Sequence, residues 1–124
     1  MKIVHSDDAP KAIGPYSQGI YLDGWFFSSG QIPLDLQGEK IDGDIESQTT
    51  QVFKNLKAVL GAAGLTLNDV VKATVFVTNL NDFTKLNSIY ENHFGTHKPA
   101  RSTVQVARLP LNVDVEIEVI AKKP

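Results

Sequence analysis

Three carboxylates stand at alternate positions near the end of the 124-residue chain, Asp114, Glu116 and Glu118, interleaved with Val113, Val115, Ile117 and Val119. In a strand, successive side chains point to opposite faces, so the aliphatic residues share one side and the carboxylates the other. Three like charges in a row repel one another unless some are solvated, neutralised or paired. Arg101 opens the preceding β-rich segment, and antiparallel pairing of the two would bring its guanidinium toward the row, although the register is not readable from sequence. Two chemistries fit. One is a solvated edge with a surface ion pair, Glu116 with Arg101 or Arg108, worth ~0–1 kcal/mol. The other is a guanidinium that forks a substrate carboxylate beside a glutamate that handles a water or a proton.

Other reactive groupings are weaker. His93 and His97 have the four-residue spacing with which one helix face can bind zinc. Gly95 interrupts that helix, no cysteine is present to help and His5 is remote, so no metal site is expected. Ser28-Ser29-Gly30 lacks the Gly-x-Ser-x-Gly nucleophile elbow. Gly61-Ala62-Ala63-Gly64 ends a helix rather than opening one, which excludes a phosphate loop. The absence of cysteine also removes disulfide and thiolate chemistry.

The elements that must position these groups follow from patterning. Residues 18–22 and 25–29 flank Asp23-Gly24, a pair suited to a type I′ hairpin turn. A polar loop over 31–44 leads to a helix over 45–63, with Asp44 as N-cap and Gly64 as stop. Its apolar face is Val52, Phe53, Leu56, Val59, Leu60 and Ala63. Residues 71–78 read as a strand. A second helix is expected over 81–94, capped by Asn81 and burying Phe83, Leu86, Tyr90 and Phe94. Strands over 102–107 and 113–121 complete a ββαβαββ order, an α+β domain spanning residues 1–124 with two helices on one face of a sheet. The other face carries Thr74, Phe76 and Ile120, so it asks for a covering partner.

Composition bounds the function. Hydrophobic content of 42% and charged content of 21% are those of an ordinary globular domain. Net charge is −2 with no basic run, which gives no pull toward nucleic acid. The N-terminal residues lack the apolar core of a secretory signal, and no apolar run approaches the ~18 residues of a membrane span. A soluble cytoplasmic protein is expected.

At the C-terminal segments the chain resembles a known family. Pro99-Ala100-Arg101-Ser102-Thr103-Val104-Gln105-Val106-Ala107-Arg108-Leu109-Pro110 and Val115-Glu116-Ile117-Glu118 are similar to the signature of the RidA (YjgF) family. The similarity continues through Ala12-Ile13-Gly14-Pro15-Tyr16-Ser17-Gln18-Gly19, Ser29-Gly30-Gln31-Ile32-Pro33, Asn55-Leu56-Lys57-Ala58-Val59-Leu60, Ala73-Thr74-Val75-Phe76-Val77 and residues 83–90. These segments are collinear over nearly the whole length.

The resemblance implies a chorismate-mutase-like fold assembled as a homotrimer, with clefts between subunits. It implies hydrolysis of 2-iminobutanoate and 2-iminopropanoate to 2-keto acids and ammonia, without metal or organic cofactor. Carried over by position, Arg101 would bind the substrate carboxylate and Glu116 would hold the attacking water or relay a proton. Tyr16 would close one wall, Ser29 and Gly30 would line the pocket and Asn87 would stand at its edge. Thr103 occupies a position where many relatives have cysteine, which leaves its backbone as the contributing group. Two other functions attach to the same family: a non-enzymatic module that binds small carboxylates in a regulatory role, and an endoribonuclease or translation inhibitor.

Overall fold

The computed structural model describes all 124 residues. Six strands form one mixed sheet: β1 (Lys2–Val4), β2 (Gly19–Leu22), β3 (Trp25–Ser28), β4 (Val70–Val77), β5 (Ala100–Gln105) and β6 (Val115–Lys122), in spatial order β1-β2-β3-β6-β4-β5. All neighbours are antiparallel except β4 and β5, which run parallel. The short first strand is an addition to the expected order. It consists of three residues, too few for an alternating pattern to register.

The β2–β3 hairpin turns at Asp23 and Gly24 with φ of 51° and 83°, the left-handed pair that a type I′ turn needs. Helix α1 (Ile45–Ala62) is capped as expected, the Asp44 side chain accepting from the Ser47 N–H. That bond lowers the Asp44 pKa, because it favours the charged carboxylate. Val52, Phe53, Leu56, Val59 and Leu60 are fully buried against Val75, Ile117 and Val119 of the sheet.

Helix α2 (Phe83–Phe94) begins later than expected. Asn79 caps a preceding 3₁₀ turn over Leu80–Asp82, its side chain accepting from the Asn81 N–H, so Asn81 is not the cap. Leu86 and Phe94 are buried as expected, but Phe83 is 40% exposed and Tyr90 only partly buried. The stripe of α2 therefore splits. Part of it enters the core and part lies against Arg101.

Both helices pack on one face of the sheet. On the opposite face lie Ile20, Phe27, Lys72, Thr74, Phe76, Ser102, Val104, Glu116, Glu118 and Ile120, as the register and pleat require. Phe27 is 43% exposed there and Val104 42%. No helix is long and apolar enough to cross a membrane.

Candidate functional site

The parallel pairing of β4 with β5 decides where Arg101 goes. Strand β4 lies between β5 and β6, so Arg101 is not paired with the carboxylate-bearing strand. This corrects the expected antiparallel pairing. Strand β6 pairs antiparallel with both β3 and β4 and fills the position between them. Arg101 is opposite Ala73, itself opposite Val119, so it points to the helix face; Glu116 is opposite Phe76 and points to the other. Within one chain the two groups lie on opposite faces of the sheet. Neither forms an ion pair; the one histidine–carboxylate contact in the chain, His5 Nε2 to Asp7 Oδ1 at 2.9 Å, lies elsewhere.

Arg101 is held by α2. Its Nη1 donates to the Asn87 Oδ1 at 2.8 Å, and its Cζ lies 4.7 Å from the Tyr90 ring centre and 5.5 Å from that of Phe83. Arg101, Asn87 and Tyr90 border a cavity of about 300 Å³ whose lining includes Glu91 and Lys98. Glu91 is not within ion-pair distance of the guanidinium or of Lys98. Thr103, two residues on, has a buried hydroxyl with no hydrogen-bond partner. The guanidinium is a partly buried cation without a counter-ion, a state that invites an anion.

Glu116 borders a larger cleft of about 580 Å³, with Tyr16, Ser29, Gly30, Ile32 and Pro110 among its lining. Backbone exchange between Gln31 and Ile117, N···O 2.9 and 3.1 Å, clamps the 29–31 segment onto β6. Gly30 then lies directly against Glu116, and a Cβ at residue 30 would overlap that carboxyl group. Ser29 Oγ donates to the Ser17 carbonyl at 2.5 Å, so its hydroxyl braces the cleft wall. The Tyr16 hydroxyl accepts from the Ile13 N–H at 3.3 Å. Burial, and then the neighbouring Glu118, raise the Glu116 pKa above the ordinary carboxylate value. A carboxylate so disposed binds protons more readily than a solvated one.

The third carboxylate does not join this row. Gln48 Nε2 donates to Asp114 Oδ2 at 2.8 Å while its Oε1 accepts from the Asp114 N–H at 2.9 Å, which ties Asp114 to α1. Both C-terminal histidines are engaged structurally. His93 stacks on Phe53 with ring centres 4.6 Å apart, and His97 Nε2 lies 2.7 Å from the Val70 carbonyl oxygen. Burial, and then Lys57, lower the His93 pKa.

The expected site residues thus fall into two groups on opposite faces of the sheet, which we call half-sites. Glu116, Tyr16, Ser29 and Gly30 make one; Arg101 and Asn87 make the other, with Thr103 beside Arg101 on the same strand face. Phe83 and Tyr90 belong to the second half-site and were read from sequence as core. The available signal was the mixed stripe Phe83, Asn87, Tyr90 at spacings of four and three.

The profile of a family described as endoribonuclease L-PSP matches residues 6–123. A 2-iminobutanoate/2-iminopropanoate deaminase of Salmonella typhimurium is 48% identical, covering 97% of this chain and 96% of its own. The chain belongs to the RidA/YjgF family. A RutC family protein of Pyrococcus horikoshii is 51% identical, covering 98% of each chain. Among solved structures, TdcF of Escherichia coli with bound serine superposes with a TM-score of 0.95 at 46% identity, covering 100% of both chains. The YjgF gene product of the same species gives the same score, identity and coverage. Family membership and the YjgF-like fold therefore stand as expected, and relatives named as deaminases are among the similar proteins.

Proposed function

We propose that this protein hydrolyses 2-imino acids such as 2-iminobutanoate and 2-iminopropanoate to 2-keto acids and ammonia, in sites completed by a neighbouring subunit of a homotrimer. The observation that carries the reading is the pair of unneutralised, partly buried groups, Arg101 and Glu116, on opposite sheet faces of a chain in this family. A second copy that set its Glu116 cleft against the Arg101 half-site would supply each with the partner it lacks. Closed rings form when one surface of a subunit meets a different surface of the next. The apolar residues of the open sheet face support such an assembly.

In this reading Arg101 binds the substrate carboxylate through its planar fork, which a lysine would not match. The serine seen in the Escherichia coli relative carries a carboxylate of that kind. Water adds to C2 of the protonated imine, and Glu116 takes the proton that the water loses. Glu116 first returns its proton to the amine nitrogen of the tetrahedral amino alcohol. It then takes the hydroxyl proton as C=O forms and the C–N bond breaks, and passes it to the released ammonia. Iminium and water thus give keto acid and ammonium, and Glu116 ends as the carboxylate it began. A raised pKa suits a group that must both accept and return a proton. Imines already hydrolyse in water, so positioning and one acid–base group suffice, with factors of ~10² or more each. Neither step calls on a cofactor.

RNA cleavage fits the cleft less well. Glu116 and Glu118 both line it, against a single Lys11, and two carboxylates repel a phosphate backbone.

The test is to generate 2-iminobutanoate in situ and follow its loss. Wild-type protein is expected to accelerate it, and Arg101→Ala to lose about 10²-fold or more in kcat/KM. Failure of the wild type to accelerate the loss, with 2-oxobutanoate still binding, would replace the enzyme with a carboxylate-binding module.

A further inference from the structure

Phe83, Asn87 and Tyr90 follow one another at intervals of four and three residues on α2, which places them in one stripe of the helix. All three meet the guanidinium of Arg101: Asn87 by a hydrogen bond of 2.8 Å, Tyr90 and Phe83 by ring faces with centres 4.7 and 5.5 Å from Cζ. An arginine side chain has many rotamers, and one hydrogen bond leaves the guanidinium free to swing about its donor. Two rings and a directional acceptor restrict both its plane and its roll, and a weakly hydrated planar cation rests well on an aromatic face.

The Tyr90 ring is itself fixed from the core. It lies edge-on to Phe53, with ring centres 5.7 Å apart, and against Phe94 at 4.7 Å. Its hydroxyl is enclosed and has no hydrogen-bond partner. Burial raises the phenol pKa against the opposing pull of Arg101. The ring therefore stays neutral, and it offers the guanidinium a face without competing as an anion for it.

We propose that Tyr90, assisted by Phe83, is a positioning residue that fixes the guanidinium plane of Arg101 so that its fork meets an incoming carboxylate. The proposal rests on the reading of Arg101 as the carboxylate binder. It assigns to α2 a task beyond packing: the helix pre-orients a group on the neighbouring strand before the ligand arrives. Preorganisation of this kind acts on binding more than on the chemical step.

Two measurements on the full-length protein test it. The first is the NMR signal of the Arg101 Nε–H group and the rotation rate of its guanidinium. In wild type and Tyr90→Phe the signal should be ring-shifted and rotation slow. In Tyr90→Leu, and in Phe83→Leu at a position 40% exposed and outside the core, both should move toward free-arginine values. The second is turnover of 2-iminobutanoate. Tyr90→Leu should raise KM about tenfold with kcat within about threefold of wild type, and Tyr90→Phe should restore KM. In an Arg101→Lys background, which removes the planar fork, Tyr90→Leu should change KM by less than about twofold. An unchanged Arg101 signal in both leucine variants overturns the proposal. So does an equal KM increase in the Arg101 and Lys backgrounds. If the wild type fails to accelerate loss of 2-iminobutanoate while the Arg101 signal still depends on Tyr90, the positioning of the guanidinium stands and the deaminase reading fails. If Arg101→Ala leaves turnover intact, Arg101 is not the carboxylate binder and the proposal falls with it.

Discussion

Glu116 owes its environment to a residue with no side chain. The carboxyl occupies the space where a Cβ of residue 30 would stand, so Gly30→Ala must push it aside. The group displaced is the end of a flexible side chain, which can rotate away at little cost to the fold. Gly30→Ala is therefore expected to lower kcat by about 10²-fold, the order of an acid–base contribution, while the melting temperature stays within about 4 °C of wild type. Steady-state kinetics beside a thermal melt separates the two effects. A melting temperature that fell along with activity would assign the glycine to folding instead. Arg101 has the opposite arrangement, since its surroundings supply contacts rather than space.

Helix α1 steers the cleft from beneath. Asn55 is buried, and its Nδ2 donates to the carbonyls of Ile32 and Leu34, both at 3.1 Å, while its Oδ1 accepts from Gln51. This amide ties α1 to Ile32 and Leu34, which line the cleft with Glu116. Asn55→Ala removes the side-chain donor from both carbonyls. That of Ile32 still accepts from the Leu34 N–H at 2.8 Å, but the Leu34 carbonyl is left without a donor, at a cost of about 1–3 kcal/mol. A drop in melting temperature of roughly 10 °C is expected, with loss of activity even where the protein stays folded. A melt unchanged by the substitution would show that water replaces the amide. Read from sequence, Asn55 belonged only to a family motif. Its two carbonyl partners are more than twenty positions away, a pairing that helical periodicity does not encode.

At the scale of the whole molecule, the decisive feature is the placement of Arg101 and Glu116 on opposite faces of the sheet. The sheet separates Arg101 from Glu116, so a single chain should have neither half-site complete. Arg101→Ala and Glu116→Gln should each be inactive as pure proteins. Refolded together from an equal mixture, they should recover about a quarter of wild-type activity, because that share of interfaces joins an intact Arg101 to an intact Glu116. No recovery, with mixed oligomers demonstrated by mass, would place the complete site within one chain and overturn the shared cleft.

Much of this was legible in local pattern. The hairpin at Asp23-Gly24, the Asp44 cap, the apolar face of α1 and the alternation of β6 all rest on interactions within a few residues, which sequence spacing specifies. The identities of Arg101, Glu116 and Gly30 came from their place in a collinear family motif. What only the tertiary structure decided was the strand order. Register and neighbour choice depend on contacts between distant segments, and the insertion of β6 between β3 and β4 set Arg101 and Glu116 apart. The same packing took Asp114 out of the carboxylate row and turned Phe83 and Tyr90 from presumed core into a cradle for a cation. The chemistry was named by residue types, and the pleat and order of the sheet determined which of them can meet.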